Sequence, residues 1–248
     1  MVYSFHSPMR TYRAICACLL FCCSAALFFA TPASGFCFQP HPSVACDFLN
    51  SDAVFTGKVV HVRAVADTEG FTDGWYYELQ VLQLFRGPHG SVIEVYTGND
   101  TGRYPLELGE KYLIFAYIYE KKLEIDNCGD SAPLSEAKNT INQIEKVAVP
   151  KDAIVEGQVA LHQIPSEQGL AGVQILIRGV GKSYTATTDD NGWFRIHVPP
   201  GAYSAEAKST PAHLIINSDL SYDGPDRFAV KAGRCADLQF VANSRYAY

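Results

Sequence analysis

The sequence predicts a mainly β protein made of two small modules in series: a Greek-key barrel followed by one helix, then a β-sandwich. Three observations predict it. From Asp52 onward, short runs rich in Val, Ile, Tyr, Phe and Thr alternate apolar with polar residues and are broken by Gly, Pro, Asn or Asp, the pattern of strands joined by turns. Only one segment has convincing helical spacing. An even number of cysteines remains once an N-terminal apolar segment is set aside, as in disulfide-bridged exported domains.

The chain has 248 residues, 48% hydrophobic and 19% charged, enough for two cores of roughly 100 residues each. Residues 1–35 carry Arg10 and Arg13, no acid, an apolar run from Ala14 to Ala30, and small residues ending Ala33-Ser34-Gly35. This order reads as a signal peptide and predicts a secreted, periplasmic or cell-envelope location. Left uncleaved, the run of about 17 apolar residues would make a short membrane anchor. Loss of the two arginines takes the net charge from −6 to −8, which argues against nucleic acid and anionic membrane as partners. Cys37, Cys46, Cys128 and Cys235 then remain, for two disulfides in any of the three connectivities that four cysteines allow.

The first strand is predicted over Ala53–Val65 and the second over Gly74–Phe85, where Tyr77, Leu79 and Val81 alternate with Tyr76, Glu78 and Gln80. Arg86 to Gly90 turns the chain into a third, SVIEVYTG. EKYLIFAYIYE is apolar on both faces, hence central in its sheet, and steps tightly at Glu120-Lys121 into KLEIDN. SEAKNTINQIEKV predicts a helix with Ser135 as N-cap and Ala137, Ile141 and Ile144 as its apolar stripe. Five strands and a helix fit a small barrel of the OB type.

Residues 148–152 read as a linker, and a new strand series occupies residues 153–242. Val155, Gly157, Val159 and Leu161 face inward with Glu156, Gln158 and His162 opposite; Val173, Ile175 and Ile177, then Phe194, Ile196 and Val198, repeat the pattern. Asn191-Gly192 predicts a two-residue hairpin turn, and Pro199-Pro200-Gly201 another turn. Seven strands at short spacing predict a β-sandwich.

Asn50 to Val60, Gly109 to Ile114 and Leu123 to Cys128 together resemble the netrin-like module of the tissue inhibitors of metalloproteinases, over residues 37–147. The resemblance implies an OB-fold barrel with a helix after its last strand and a disulfide Cys37–Cys128, which leaves Cys46 to Cys235. Those inhibitors chelate the protease zinc through the amine and carbonyl of an N-terminal cysteine in a Cys-x-Cys motif. Here Cys37 matches the second cysteine, and Gly35 stands where the first would be. The contact edge under this reading is Phe36, Cys37 and Phe38, with a zinc metalloprotease as partner.

Gly157 and Val159, Leu170 to Val173, Thr187 to Phe194 and Pro199 to Tyr203 are similar to the carboxypeptidase regulatory-like domain, a transthyretin-like sandwich grouped with carbohydrate-binding-like folds. This implies an accessory module and no peptidase activity. The Lys–Asn isopeptide link of some such sandwiches is not expected, because Ile154–Leu161 contains no Lys.

No His-Glu-x-x-His, Gly-x-Ser-x-Gly or phosphate-loop pattern occurs, and His41, His61, His89, His162, His197 and His213 stand singly. Asp189-Asp190-Asn191 lacks the spacing and closing Glu of a calcium loop. Neither catalytic nor metal-ligating residues are assigned, and no cofactor is expected. Trp75, Tyr76, Trp193 and Tyr222 are candidates for an aromatic platform, with core packing or edge cover as the simpler role. Asn99-Asp100-Thr101 is a glycosylation sequon. The leading functional expectation is a non-enzymatic binding protein for an extracellular or envelope protein or glycan. Metalloprotease inhibitor and structural envelope component are the alternatives.

Overall fold

The computed structural model describes residues 42–163, 166–207, 214–218 and 226–244. These belong to one compact unit, Phe36–Tyr248. The fold is mainly β. Helix α1 (Val44–Asn50) precedes strands β1 (Ala53–Ala66), β2 (Thr72–Arg86), β3 (Val92–Gly98), β4 (Lys111–Tyr119), β5 (Lys122–Glu124) and β6 (Ala132–Pro133), followed by helix α2 (Lys138–Ile144).

Their sheet has the order β1-β2-β3-β5-β4-β6, and β1 also pairs with β4, from Ala53↔Ala116 to Lys58↔Lys111. Strand β3 runs antiparallel to β2 and parallel to β5, which is antiparallel to β4; because β4 pairs back onto β1, the first five strands close a Greek-key barrel of the OB type. Glu120 and Lys121 both have positive φ, 47° and 67°, so the tight step between β4 and β5 is a two-residue turn of the kind that matches strand twist.

Strand β4 is apolar on both faces because both are covered. Tyr112, Ile114 and Ala116 join Phe55, Val59, Tyr77, Leu79 and Val95 inside the barrel. Leu113 and Phe115 point outward into a second cluster with Cys46, Phe48 and Leu49 of α1 and Ala137 and Ile144 around α2.

Both helices differ from the sequence reading. Helix α1 is an addition to it: Ser43 is its N-cap, with the side chain accepting from Cys46 N–H. Helix α2 is shorter than predicted, and Ser135 is not its cap. Residues 133–136 form a turn, closed by Glu136 N–H donating to Pro133 O, and the first helical bond runs from Ile141 N–H to Ala137 O at 2.9 Å.

The second assembly contains the seven strands expected: β7 (Ala153–Gln163), β9 (Gln174–Gly179), β10 (Lys182–Thr187), β11 (Trp193–Val198), β12 (Gly201–Ala207), β14 (Asp226–Val230) and β15 (Cys235–Ser244). Two short ones join them, β8 (Ser166–Gly169) and β13 (Leu214–Ser218). They form a sheet β10-β9-β12-β14 and a sheet β11-β7-β15-β13 with β8 on β7. Val155, Val159, Val173, Ile175, Ile177, Phe194, Val198, Leu238 and Phe240 fill the core between them. Gly157 is required there, since a Cβ would lie 1.9 Å from Leu238 O.

The Asn191-Gly192 hairpin is corrected. Strand β10 pairs with β9 and β11 with β7, so the connection crosses between sheets instead of joining neighbours. Asp189 makes the turn, its Oδ1 accepting from Asn191 and Trp193 N–H at 2.9 Å, while Gly192 takes φ 79°. This Asx-type bonding supplies a wider turn than the two-residue one.

Candidate functional site

Where barrel and sandwich meet, the outer apolar cluster extends across to Ile154 and Cys235. Cys46, within α1, is disulfide-bonded to Cys235 at the start of β15, with Cα atoms 5.3 Å apart. Arg234 precedes it. Its Nη1 donates to Asn50 O at 2.6 Å, Leu49 O at 3.2 Å and Ser51 O at 3.3 Å, and its Nη2 to Asp52 Oδ1 at 2.6 Å. One guanidinium thus satisfies carbonyls that the end of α1 leaves without intrahelical donors. Cys235 N–H donates to Asn50 Oδ1 at 3.0 Å and Ile118 N–H to Asp52 Oδ2 at 2.8 Å. Burial works to raise the Asp52 carboxyl, but the Arg234 and Ile118 bonds outweigh it and hold the group below its ordinary value.

Glu156 is the polar residue that alternation misplaces. It lies on the face of β7 opposite the sandwich core, yet is only 3% exposed. Ser43 Oγ, at the start of α1, donates to its Oε1, and Arg195 Nε is 3.7 Å from its Oε2. Glu156 also clusters with the sulfurs of Cys46 and Cys235. Both sulfurs are spent in the disulfide, so this set offers no thiolate to a metal.

Beside Glu156, in register on β15, stands Asp237. Burial pushes its carboxyl up to about 6; two bonds from Gln239 Nε2, at 3.1 and 3.2 Å, pull the other way, and the Glu156 charge adds to the rise. A carboxyl raised on folding holds a proton that the unfolded chain has lost between about pH 4 and 6, so its contribution to stability falls as pH rises through that window. Asp237→Asn is therefore expected to raise stability at pH 7.5 by on the order of 2 kcal/mol. The gain should fade by about pH 4, where the parent is itself protonated. Thermal melts of both proteins at the two pH values check this.

One hollow on the sandwich is a trough of about 530 Å³ on the outer face of the β10-β9-β12-β14 sheet. Register builds it. Ser204 on β12 is the cross-strand partner of Arg178 on β9 and of Arg227 on β14, so two guanidiniums flank one hydroxyl. Ala202 and Ala229 keep the bottom low, and Val180, fully exposed at the β9–β10 turn, stands at one end. Arg178 Nη1 is braced by Glu206 Oε1 at 2.6 Å, whereas exposed Arg227 makes no ion pair among the described residues. Beneath, Tyr203 stacks on Phe228 with centroids 5.8 Å apart and donates its hydroxyl to Pro199 O at 2.6 Å. A second hollow, of about 390 Å³ beside the barrel, is lined by Glu110, Lys111, Tyr112, Pro133 and Leu134.

The remaining sequence candidates disperse. Phe36, Cys37 and Phe38 lie outside the described residues, and so does the Cys37 end of the Cys37–Cys128 pair; Cys128 itself is a half-cystine. Trp75 packs against the barrel core under the Arg103 guanidinium, 3.7 Å from its ring. Tyr76 points the other way, 5.1 Å from the Tyr96 ring and 4.5 Å from the Arg63 guanidinium. Trp193 is on β11, and Tyr222 lies outside the described residues, so no shared aromatic platform forms from the described three. His61 is exposed 3.7 Å from Glu78, and His89 and His197 are exposed as expected of lone surface histidines. Asn99 of the sequon donates its side-chain amide to Thr72 O at 2.9 Å. Among the described residues, no helix is long and apolar enough to cross a membrane.

No protein-family profile matches the chain, and no curated protein matches it. Solved structures do share parts of its shape. A DUF3823 family protein from Bacteroides ovatus aligns at 12% identity and TM-score 0.26 over 36% of this chain, which spans 44% of that one. The minor pilin of Streptococcus agalactiae aligns at 9% identity and TM-score 0.33, over 80% of this chain and 85% of the pilin. A Pseudomonas aeruginosa protein proposed to bind carbohydrate aligns at 12% identity and TM-score 0.24, over 41% of this chain and 95% of that protein. None of these three is a netrin-like protein.

Proposed function

We propose that the chain is an exported, non-enzymatic binding protein that takes an extracellular or envelope glycan in the trough of the β10-β9-β12-β14 sheet. The observation that carries this is where the trough lies. Its bottom is the outer face of β9, β12 and β14, where main-chain N–H and C=O groups lie in the plane of the sheet and only side chains stand out of it. A peptide gains no added-strand hydrogen bonds on such a face. A sugar is recognised by side-chain donors and hydroxyls over a shallow surface, which is what Arg178, Ser204 and Arg227 present. The Cys46–Cys235 bridge supports an oxidising, extracytoplasmic setting.

The test is a glycan array probed with the disulfide-intact chain and with Ala202→Trp, which fills the trough from an exposed position. Binding by the parent and its loss in the variant, at unchanged melting temperature, is the expected result. Glycan binding that survives Ala202→Trp places the site elsewhere.

A second reading, inhibition of a zinc metalloprotease through the N-terminal segment, is favoured by one observation. The barrel order β1-β2-β3-β5-β4, with half-cystine Cys128 after β5 and α2 beyond it, is the layout that the netrin-like resemblance implies. Sequencing the mature N-terminus decides it: a free amine on Cys37 supports inhibition, and a start at Phe36 or earlier removes it.

A further inference from the structure

We infer that the group recognised in the trough is an anion, the carboxylate or sulfate of an acidic oligosaccharide, held between Arg178 and Arg227. This rests on the glycan reading above and adds the ligand's chemical class. Arg178, Ser204 and Arg227 occupy one cross-strand row. Strands are spaced about 4.8 Å apart, so the two arginine Cα atoms stand roughly 10 Å apart with the hydroxyl midway. That gap suits a planar anion approached by a guanidinium fork from each side, the geometry in which arginine outperforms lysine.

The two arginines are not equivalent. Arg178 is already tied to Glu206 at 2.6 Å, which orients its stem and cancels much of its charge. Arg227, exposed and without an ion pair among the described residues, carries the free charge and contributes most to attraction. With Glu206 counted, the row holds one net positive charge on a mature chain of net charge −8. A long polyanion meets the repulsion of the whole surface, whereas a short acidic segment meets mainly the local field. The ligand is therefore a short acidic oligosaccharide and not a long polyanion.

The experiment titrates the disulfide-intact exported chain calorimetrically, at low and physiological salt. The probes are trigalacturonate, a sulfated trisaccharide, their neutral parent sugars, and a triglutamate peptide of equal charge. Acidic sugars are expected to bind at least about tenfold more tightly than the neutral parents, with affinity falling as salt rises. Arg227→Ala should remove about that factor and Arg227→Lys restore only part of it, both at unchanged melting temperature. The carboxylate and sulfate arms identify which anion is preferred.

Equal binding of acidic and neutral sugars, or full binding by Arg227→Ala, overturns the anionic class and leaves glycan binding standing. Triglutamate binding as tightly as trigalacturonate, or no binding by any sugar, overturns the glycan reading with it.

Discussion

A chain in which Cys46 and Cys235 are both replaced by alanine is expected to melt roughly 10–20 °C below the parent. The bridge closes a loop of 189 residues, and removing that constraint from the unfolded chain costs roughly 5 kcal/mol in the chain-entropy account. For a protein of this size each kcal/mol shifts the midpoint by roughly 2–4 °C. Position makes the effect larger than a surface staple would have. Cys46 and Cys235 are both buried, in the apolar cluster that α1, the outer face of β4 and the start of β7 share, so two alanines also leave unfilled space there. Scanning calorimetry measures both the drop and its form. One transition that moves down as a unit shows that the cluster alone still couples barrel and sandwich, whereas two separated transitions show that the bridge supplied the coupling. An unchanged midpoint would mean that the reduced, unfolded chain already holds these segments together.

What was legible in the sequence, and what was not, follows from how far apart the interacting residues are along the chain. Val173, Ile175 and Ile177 are read correctly because a buried strand face repeats every second residue. The tight step at Glu120-Lys121 is equally local. Helix α1 went unread because seven residues present too little of a helical period, although Ser43 before Val44 and Asp47 in the first turn were start signals. Glu156 went unread for a different reason: alternation assigns a residue to a face, and only the third layer laid over that face decides whether it meets water. The same holds for the trough. Arg178 and Arg227 are 49 positions apart, and each looks like an ordinary strand arginine until register sets Ser204 between them. Ser135 is the reverse case, a good cap residue whose place is taken by the turn that Pro133 starts.

Arg234→Met is expected to cost roughly 2–4 kcal/mol, less than the disulfide but large for a substitution that leaves every apolar contact of the junction in place. The size follows from what the guanidinium leaves behind: Leu49 O, Asn50 O and Ser51 O at the end of α1, and an Asp52 carboxylate whose side chain is only 26% exposed. Unmaking bonds to half-buried groups costs the desolvation of each, which exceeds the worth of an exposed ion pair. Arg234→Lys keeps the charge but loses the planar fork, so it should recover the smaller part of the loss. The pH dependence separates the charge from the carbonyl bonds. Asp52 is held below its ordinary value in the folded protein, so its contribution is complete above about pH 4 and disappears as pH falls through the lowered value. Chemical denaturation at pH 7 and pH 3 should therefore show the parent losing stability with acid more steeply than Arg234→Met. The penalty for the substitution should shrink at pH 3 without vanishing, because the three carbonyls do not titrate. A penalty equal at both pH values would assign the role of Arg234 to the carbonyls alone.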